Sequence, residues 1–300
     1  MLRSGFFSSY VCVIGLNAVL FAAAQQPTVS NQAALDRVDR HSTAEWLTVA
    51  PHLPDPKTAT PAQLETAGDV LRARRLPEDA VEYFEFALQR GGNEVELFNR
   101  IGVVELEQNQ LALARACFKR AVTLKRKYAE GWNNLGATED MAGNLRVAVA
   151  DYGRAVKLSR KNAVFHANLG TAYFASRDYE SARHEFEIAT RLDPGVLQRG
   201  GSGGSLVHVL SADDRGRFAF EMARIAAGQG DDETMLHWLT ASIEGGYDVD
   251  TAMGGVKEFN AYRKDSRIAL LVRNAKAMRA RQLAVTGPVP VLSAPTNKAN

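Results

Sequence analysis

Cysteine is nearly missing from this chain: Cys12 and Cys117 are the two in 300 residues. Two thiols build neither a disulfide framework nor a cysteine-based zinc site. A dominant charge is missing as well. Lysine and arginine number 36 against 34 acidic residues, a net of +2, so no global field draws the chain to nucleic acid or to a membrane. Histidine is sparse and scattered, at His41, His52, His166, His184, His208 and His237, and no pair has metal-ligand spacing on one helix face. No Ser–His–Asp signature stands out. Cys117 has no histidine placed in sequence to activate it and reads as a buried, inert thiol. Asp213–Asp214 and Asp231–Asp232 read as caps rather than acid–base pairs. These gaps exclude the common catalytic constellations, and no cofactor or metal is expected.

What is present begins with an apolar N-terminus. Val11 to Leu20 is nearly all apolar, Arg3 precedes it, and Ala22–Ala24 offers small residues before Gln25. This is the layout of a secretory signal peptide over residues 1–24. The rival reading is an uncleaved anchor, since Phe6 to Ala24 approaches bilayer-spanning length, although Ser8, Ser9 and Asn17 weaken it as a span. Either way the body is expected to be exported, periplasmic or secreted, with membrane association if the segment stays. Cys117 is then the lone thiol of a cleaved chain, which avoids mispairing in an oxidising compartment. Residues 25–60, punctuated by Pro27, Pro51, Pro54 and Pro56, read as a linker with a short helix from Ala44 to Ala50 capped by Ser42 or Thr43.

The centre of the chain repeats itself every 34 residues. Gly68, Gly102, Gly136 and Gly170 are in phase, as are Ala80, Ala114, Ala148 and Ala182. Phe84, Phe118, Tyr152 and Phe186 form a third column, and Ala87, Ala121, Ala155 and Ala189 a fourth. Four repeats follow: 61–94, 95–128, 129–162 and 163–196. Each holds two apolar-periodic runs of about a dozen residues, which read as antiparallel helices A and B. In the fourth, helix A is expected over Ala163 to Ser176 and helix B over Tyr179 to Leu192, stopped by Asp193–Pro194. The glycine of helix A is expected to face the small alanine of helix B, with the aromatic filling space between repeats. Leu64, Phe98, Trp132 and His166 share a large, mostly apolar column, which makes His166 a core residue rather than a ligand. A hairpin this small cannot bury its own face, so neighbours must stack.

Glu130-Gly131-Trp132-Asn133-Asn134-Leu135-Gly136 followed by Ala148, Tyr152 and Ala155 resembles the tetratricopeptide repeat, and Leu169, Gly170, Tyr173, Ala182, Phe186, Ala189 and Pro194 match it more fully. The chain departs at Glu139, Leu71 and Glu105, where the family has tyrosine, and at Arg160, Gly92 and Arg126, where it has proline. The resemblance implies an all-α, right-handed solenoid of stacked hairpins without catalysis, binding a protein or peptide in a concave groove lined by the A helices. Projected onto this sequence, that groove is lined by Glu65, Asp69 and Arg72, by Asn99, Arg100, Val103 and Leu106, by Asn133, Asn134, Ala137 and Asp140, and by Asn168, Thr171 and Phe174. The residues expected to contact a peptide are Asn99, Arg100, Asn133, Asn134, Asn168, Thr171 and Phe174. An asparagine amide both donates and accepts, as a peptide backbone requires. The packing alternative is that asparagine belongs to the motif itself. A carboxylate clamp needs lysines where this chain has Glu65, Asn99, Asn133 and Ala167, so that version of the groove is not expected.

Beyond the repeats, residues 197–216 read as a glycine-rich linker. Gly200–Gly204 lacks the lysine and threonine of a phosphate loop, and Val207–Leu210 reads as a short extended segment. Residues 217–282 read as a degenerate hairpin, Arg217–Ala227 and Glu233–Ile243, then capping helices Gly255–Arg263 and Ser266–Ala280 with Asp265 as N-cap; 283–300 read as a disordered tail. Basic residues gather at two helix ends, Lys119, Arg120, Lys125, Arg126 and Lys127, then Arg154, Lys157, Arg160 and Lys161. Helix polarity explains cations at C-terminal ends; attachment to an anionic membrane or polymer is the functional alternative. The sequence therefore points to an exported, non-enzymatic scaffold for protein segments. The alternative is a membrane-anchored structural or assembly factor of the cell envelope.

Overall fold

Each hairpin starts and stops for local reasons. In the first, Thr60 accepts from the Gln63 backbone at 3.3 Å while the Gln63 side chain accepts from the Thr60 backbone at 2.9 Å, a capping box ahead of Pro61. The computed structural model describes residues 37–197 and 212–286. The N-terminal apolar segment, the Gly200–Gly204 run, the Val207–Leu210 segment and most of the tail lie outside the described residues. Among those described, every regular element is helical. Contacts divide the chain into two compact units, Met1–Gly92 and Asn93–Asn300.

The first unit holds α1 (Ala44–Val49), α2 (Pro61–Ala73) and α3 (Pro77–Gln89). Thr43 caps α1 through the Trp46 amide. The stretch before α2 is docked rather than loose. Asp79 on α3 is 1% exposed, and a polar group buried so fully is costly without partners. His41 supplies one, with Nε2 2.8 Å from its carboxylate and the ring stacked on Trp46. Arg37 reaches Glu82 at 2.9 Å, Tyr83 donates to the Pro54 carbonyl, and Arg90 donates to the Ala59 carbonyl. The linker expected over residues 25–60 is thus tied down from 37 onward.

The second unit stacks three hairpins: α4 (Glu94–Glu107) with α5 (Leu111–Leu124), α6 (Ala129–Met141) with α7 (Leu145–Leu158), and α8 (Ala163–Ala175) with α9 (Tyr179–Leu192). The expected solenoid of antiparallel pairs is what forms. Leu135 of α6 packs with Ala114 and Phe118 of α5, and Leu169 and Ala172 of α8 pack with Ala148 and Tyr152 of α7. Every hairpin turns in the same way. Arg75, Asn109, Gly143 and Arg177, again 34 apart, all have φ between 58° and 76°. Each donates three residues back while its successor donates five back, as Asn144 does to Glu139 at 2.8 Å, which closes the last helical turn.

One packing expectation needs correction. The helix A glycines face the aromatic of their own hairpin, not the alanine. A Cβ on Gly102 would sit 2.6 Å from the Phe118 ring, on Gly136 2.8 Å from Tyr152, and on Gly170 2.7 Å from Phe186. The ring occupies the space where a side chain would be, so only glycine admits it.

The C-terminal part of the second unit comprises α10 (Ala212–Gln229), α11 (Asp232–Glu244), α12 (Val249–Met253), a 3-10 turn (Lys257–Tyr262) and α13 (Ser266–Thr286). Helix α10 begins inside the stretch expected as linker. Gly216, which reads as a breaker, is instead a contact: its Cα lies 2.7 Å from where a Gly245 Cβ would be, and its carbonyl accepts from the buried Ser242 hydroxyl at 2.7 Å. The expected helix Gly255–Arg263 is a 3-10 turn, preceded by the short α12, and α13 runs past Ala280 into the expected tail. Asp213 and Asp214 lie within α10 rather than in a turn, while Asp231 does cap α11 through Thr234. Phe220, Met235, Leu239, Val249, Phe259 and Ile268 form this part's core.

Candidate functional site

The A helices of the second unit carry the expected groove residues, and the structure joins four of them into a chain. Asn168 Nδ2 donates to Asn133 Oδ1 at 2.9 Å, Asn133 Nδ2 to Asn134 Oδ1 at 3.2 Å, and Asn134 Nδ2 to Asn99 Oδ1 at 2.9 Å. The ladder crosses α8, α6 and α4. Asn133 and Asn168 are 2% and 3% exposed. Their amides are therefore spent on each other and hold neighbouring A helices in register; they are not presented to a ligand. Asn99 and Asn134 remain half-buried and form the accessible end. A signal for this was in the sequence: Asn99 to Asn134 and Asn133 to Asn168 are each 35 apart, one step off the repeat, which is the diagonal from one A helix to the next.

The other expected contacts divide likewise. Thr171 is half-buried and donates to the Ala167 carbonyl of its own helix at 3.0 Å. Arg100 is half-buried and close enough to Tyr128 to act on its hydroxyl, which donates to Glu96 at 2.9 Å. Burial first, then Glu96, pushes the Tyr128 hydroxyl far above its ordinary range. Phe174 is not a groove wall. It is 3% exposed and sits in a cluster with Phe186, Met222 and Ile225, its ring edge-on to Tyr179 and Phe218. Helix α10 covers it, an element whose onset the glycines concealed. Ala137 is also buried, and Val103 and Leu106 pack into the core. Glu65, Asp69 and Arg72 belong to the first unit and are half-buried there.

Two departures from the repeat pattern are compensated by specific bonds. Glu139, 5% exposed in a column expected to be aromatic, receives two hydrogen bonds from Arg115 at 2.6 and 3.1 Å and one from Asn144 at 2.8 Å. Hydrogen bonding from Arg115 holds its carboxyl below the usual value despite burial. The large column has its own logic. Trp132 Nε1 donates to the Arg126 carbonyl at 2.9 Å, and His166 Nε2 lies 3.0 Å from the Arg160 carbonyl. His166 thus stands in for tryptophan as a ring N–H donor. Its other nitrogen, 2.6 Å from the Glu185 carboxylate, satisfies the polarity that tryptophan lacks. Among the described residues, no three His, Cys, Asp or Glu side chains gather as a metal site, and no helix is long and apolar enough to cross a membrane.

A family model described as tetratricopeptide repeat matches residues 66–131 and 139–196, the same hairpins that the period marks out. These are tetratricopeptide repeats. No curated protein matches the chain in sequence. Among solved structures, PilF of Pseudomonas aeruginosa aligns at 17% identity over 82% of this chain and 95% of its own, with a TM-score of 0.47. A MamA fragment from Desulfovibrio magneticus RS-1 aligns at 15% identity over 65% and 97%, TM-score 0.45. YrrB, described as a tetratricopeptide repeat protein with an unusual peptide-binding site, aligns at 16% identity over 78% and 98%, TM-score 0.42.

Proposed function

We propose that this protein is a non-catalytic scaffold that binds a protein segment along the A-helix face of its tetratricopeptide repeats, in an exported location. The observation that carries this reading is the accessible end of the asparagine ladder. Asn99 and Asn134 stay half-exposed beside Arg100, on helices whose register the buried Asn133 and Asn168 fix. Prefixed polar groups on rigid helices lower the ordering cost of binding an extended chain. Asn99 receives one bond and leaves its own amide hydrogens for a ligand carbonyl. The test is capture from the exported protein fraction by immobilised wild type and by an Asn99→Ala, Arg100→Ala double variant. The reading expects a defined set of partners held by wild type and released by the double variant at unchanged helicity. Retention of the same partners by the variant overturns it.

A further inference from the structure

The expected explanation for the basic residues, helix polarity, falls short in magnitude. Between positions 119 and 161 the chain has ten lysines and arginines against four acidic residues, +6 in a protein whose total is +2. Two helix C-termini offer about half a negative charge each. Of the four acids, Glu139 is spent on Arg115 outside this stretch, while Asp151 pairs with Arg154 within it. Arg126, Lys127, Lys157, Arg160 and Lys161 are exposed, and they form no ion pair among the described residues.

The cations sit on turns that are held in place. The Trp132 and His166 rings donate to the carbonyls of Arg126 and Arg160, the two positions where the repeat pattern would have proline. Immediately before each turn stands a leucine in repeat phase, Leu124 and Leu158, each 41% exposed, and Leu192 repeats the position beside the exposed Arg191. The edge therefore alternates exposed aliphatic tips with long cationic side chains.

We propose that this edge, the α5 and α7 C-termini with their following turns, is a docking surface for an anionic lipid bilayer. Lysine and arginine reach headgroup phosphates while leucines enter the acyl boundary, and neither feature alone uses the whole surface. A nucleic acid or sulfated polymer would satisfy the cations and leave the leucines idle. The surface uses none of the asparagines of the ladder.

Co-sedimentation of the full-length chain with vesicles tests this, comparing phosphatidylglycerol mixed into phosphatidylcholine with phosphatidylcholine alone, at low and high salt. The N-terminal apolar segment carries Arg3 and contributes equally to every variant, so the readout is the part of the anionic excess that edge substitutions remove. The expected result is a salt-sensitive excess that falls by at least about fivefold for each of Lys125→Glu, Arg126→Glu, Lys127→Glu, Arg160→Glu and Lys161→Glu. A Leu124→Ser, Leu158→Ser variant is expected to bind about tenfold more weakly. The leucines are partly buried and Lys125 lies over the Tyr128 ring, so unchanged circular dichroism is required of every variant. Equal binding to neutral and anionic vesicles, or an anionic excess that survives charge reversal, overturns the proposal. So does an excess untouched by the leucine variant, which would mark a site for anionic polymer alone.

Discussion

At the residue scale, polar groups buried in the repeats decide stability more than the surface does. Asn168→Ala removes the first rung of the ladder and leaves Asn133 Oδ1 buried without its donor. The expected cost is about 1–3 kcal/mol in urea denaturation, whereas Asn99→Ala, at the half-exposed end, should cost less than about 1 kcal/mol. Glu139 gives a second test. Arg115 lowers its carboxyl from the ordinary 4.5, so its contribution is complete above that pH and fades as pH falls through the lower folded value. Glu139→Ala, which strands a partly buried arginine, should lose about 2 kcal/mol at neutral pH, and its deficit relative to wild type should shrink in acid. Asp151 behaves oppositely: burial raises it above its ordinary value despite Arg154. Asp151→Asn should therefore match or exceed wild-type stability at neutral pH. Equal acid profiles for wild type and Glu139→Ala would refute this assignment.

At the element scale, the repeated turn shows how much of the chain was legible. The 34-residue period, the hairpins and their ends are visible in sequence because packing columns recur with fixed residue types. The shared left-handed turn residue was not, because only Gly143 announces it; Arg75, Asn109 and Arg177 hold the same conformation with side chains. All four positions are exposed, so no contact offsets the strain. Arg75→Gly and Arg177→Gly should each stabilise by about 1 kcal/mol, and Asn109→Gly by less, since asparagine tolerates this region. Thermal unfolding checks the ordering; a loss of stability on Arg177→Gly would contradict it. The site was half legible. Asn99, Asn133, Asn134 and Asn168 do lie on A helices. Their division into a buried rung and an open end depends on the diagonal between neighbouring helices, which a column-by-column reading passes over. Phe174 was misplaced for a different reason: what covers it is α10, and Gly216 signals a break when it in fact lies inside that helix and permits close approach to Gly245, the C-cap of α11.

At the scale of the whole molecule, the C-terminal helices finish the second unit's solenoid. Phe174 and Phe186 of the last repeat are covered by Met222 and Ile225, so the repeats do not end on exposed rings. Ionic bonds reinforce the seam. Glu221, fully buried, holds Arg217 at 3.0 Å and Arg224 at 2.9 Å. Arg183 of α9 and Arg224 converge on Glu258 at 3.4 and 3.3 Å. Removing one partner of such a set strands the others. Glu221→Ala should lower stability by about 3–5 kcal/mol, with the fluorescence of Trp238, which packs in this seam, changing at lower denaturant than helicity does. A single coincident transition at wild-type denaturant would show that the seam contributes little.

The second unit then presents two faces with different chemistry, an A-helix face centred on Asn99 and Asn134 and a basic edge carrying Leu124 and Leu158. The central claim is that protein segments bind the first. Backbone hydrogen exchange of the chain with a captured partner tests it most directly. The account predicts added protection along α4, α6 and α8. Protection confined to residues 124–127 and 158–161, or none on the A helices, would contradict it.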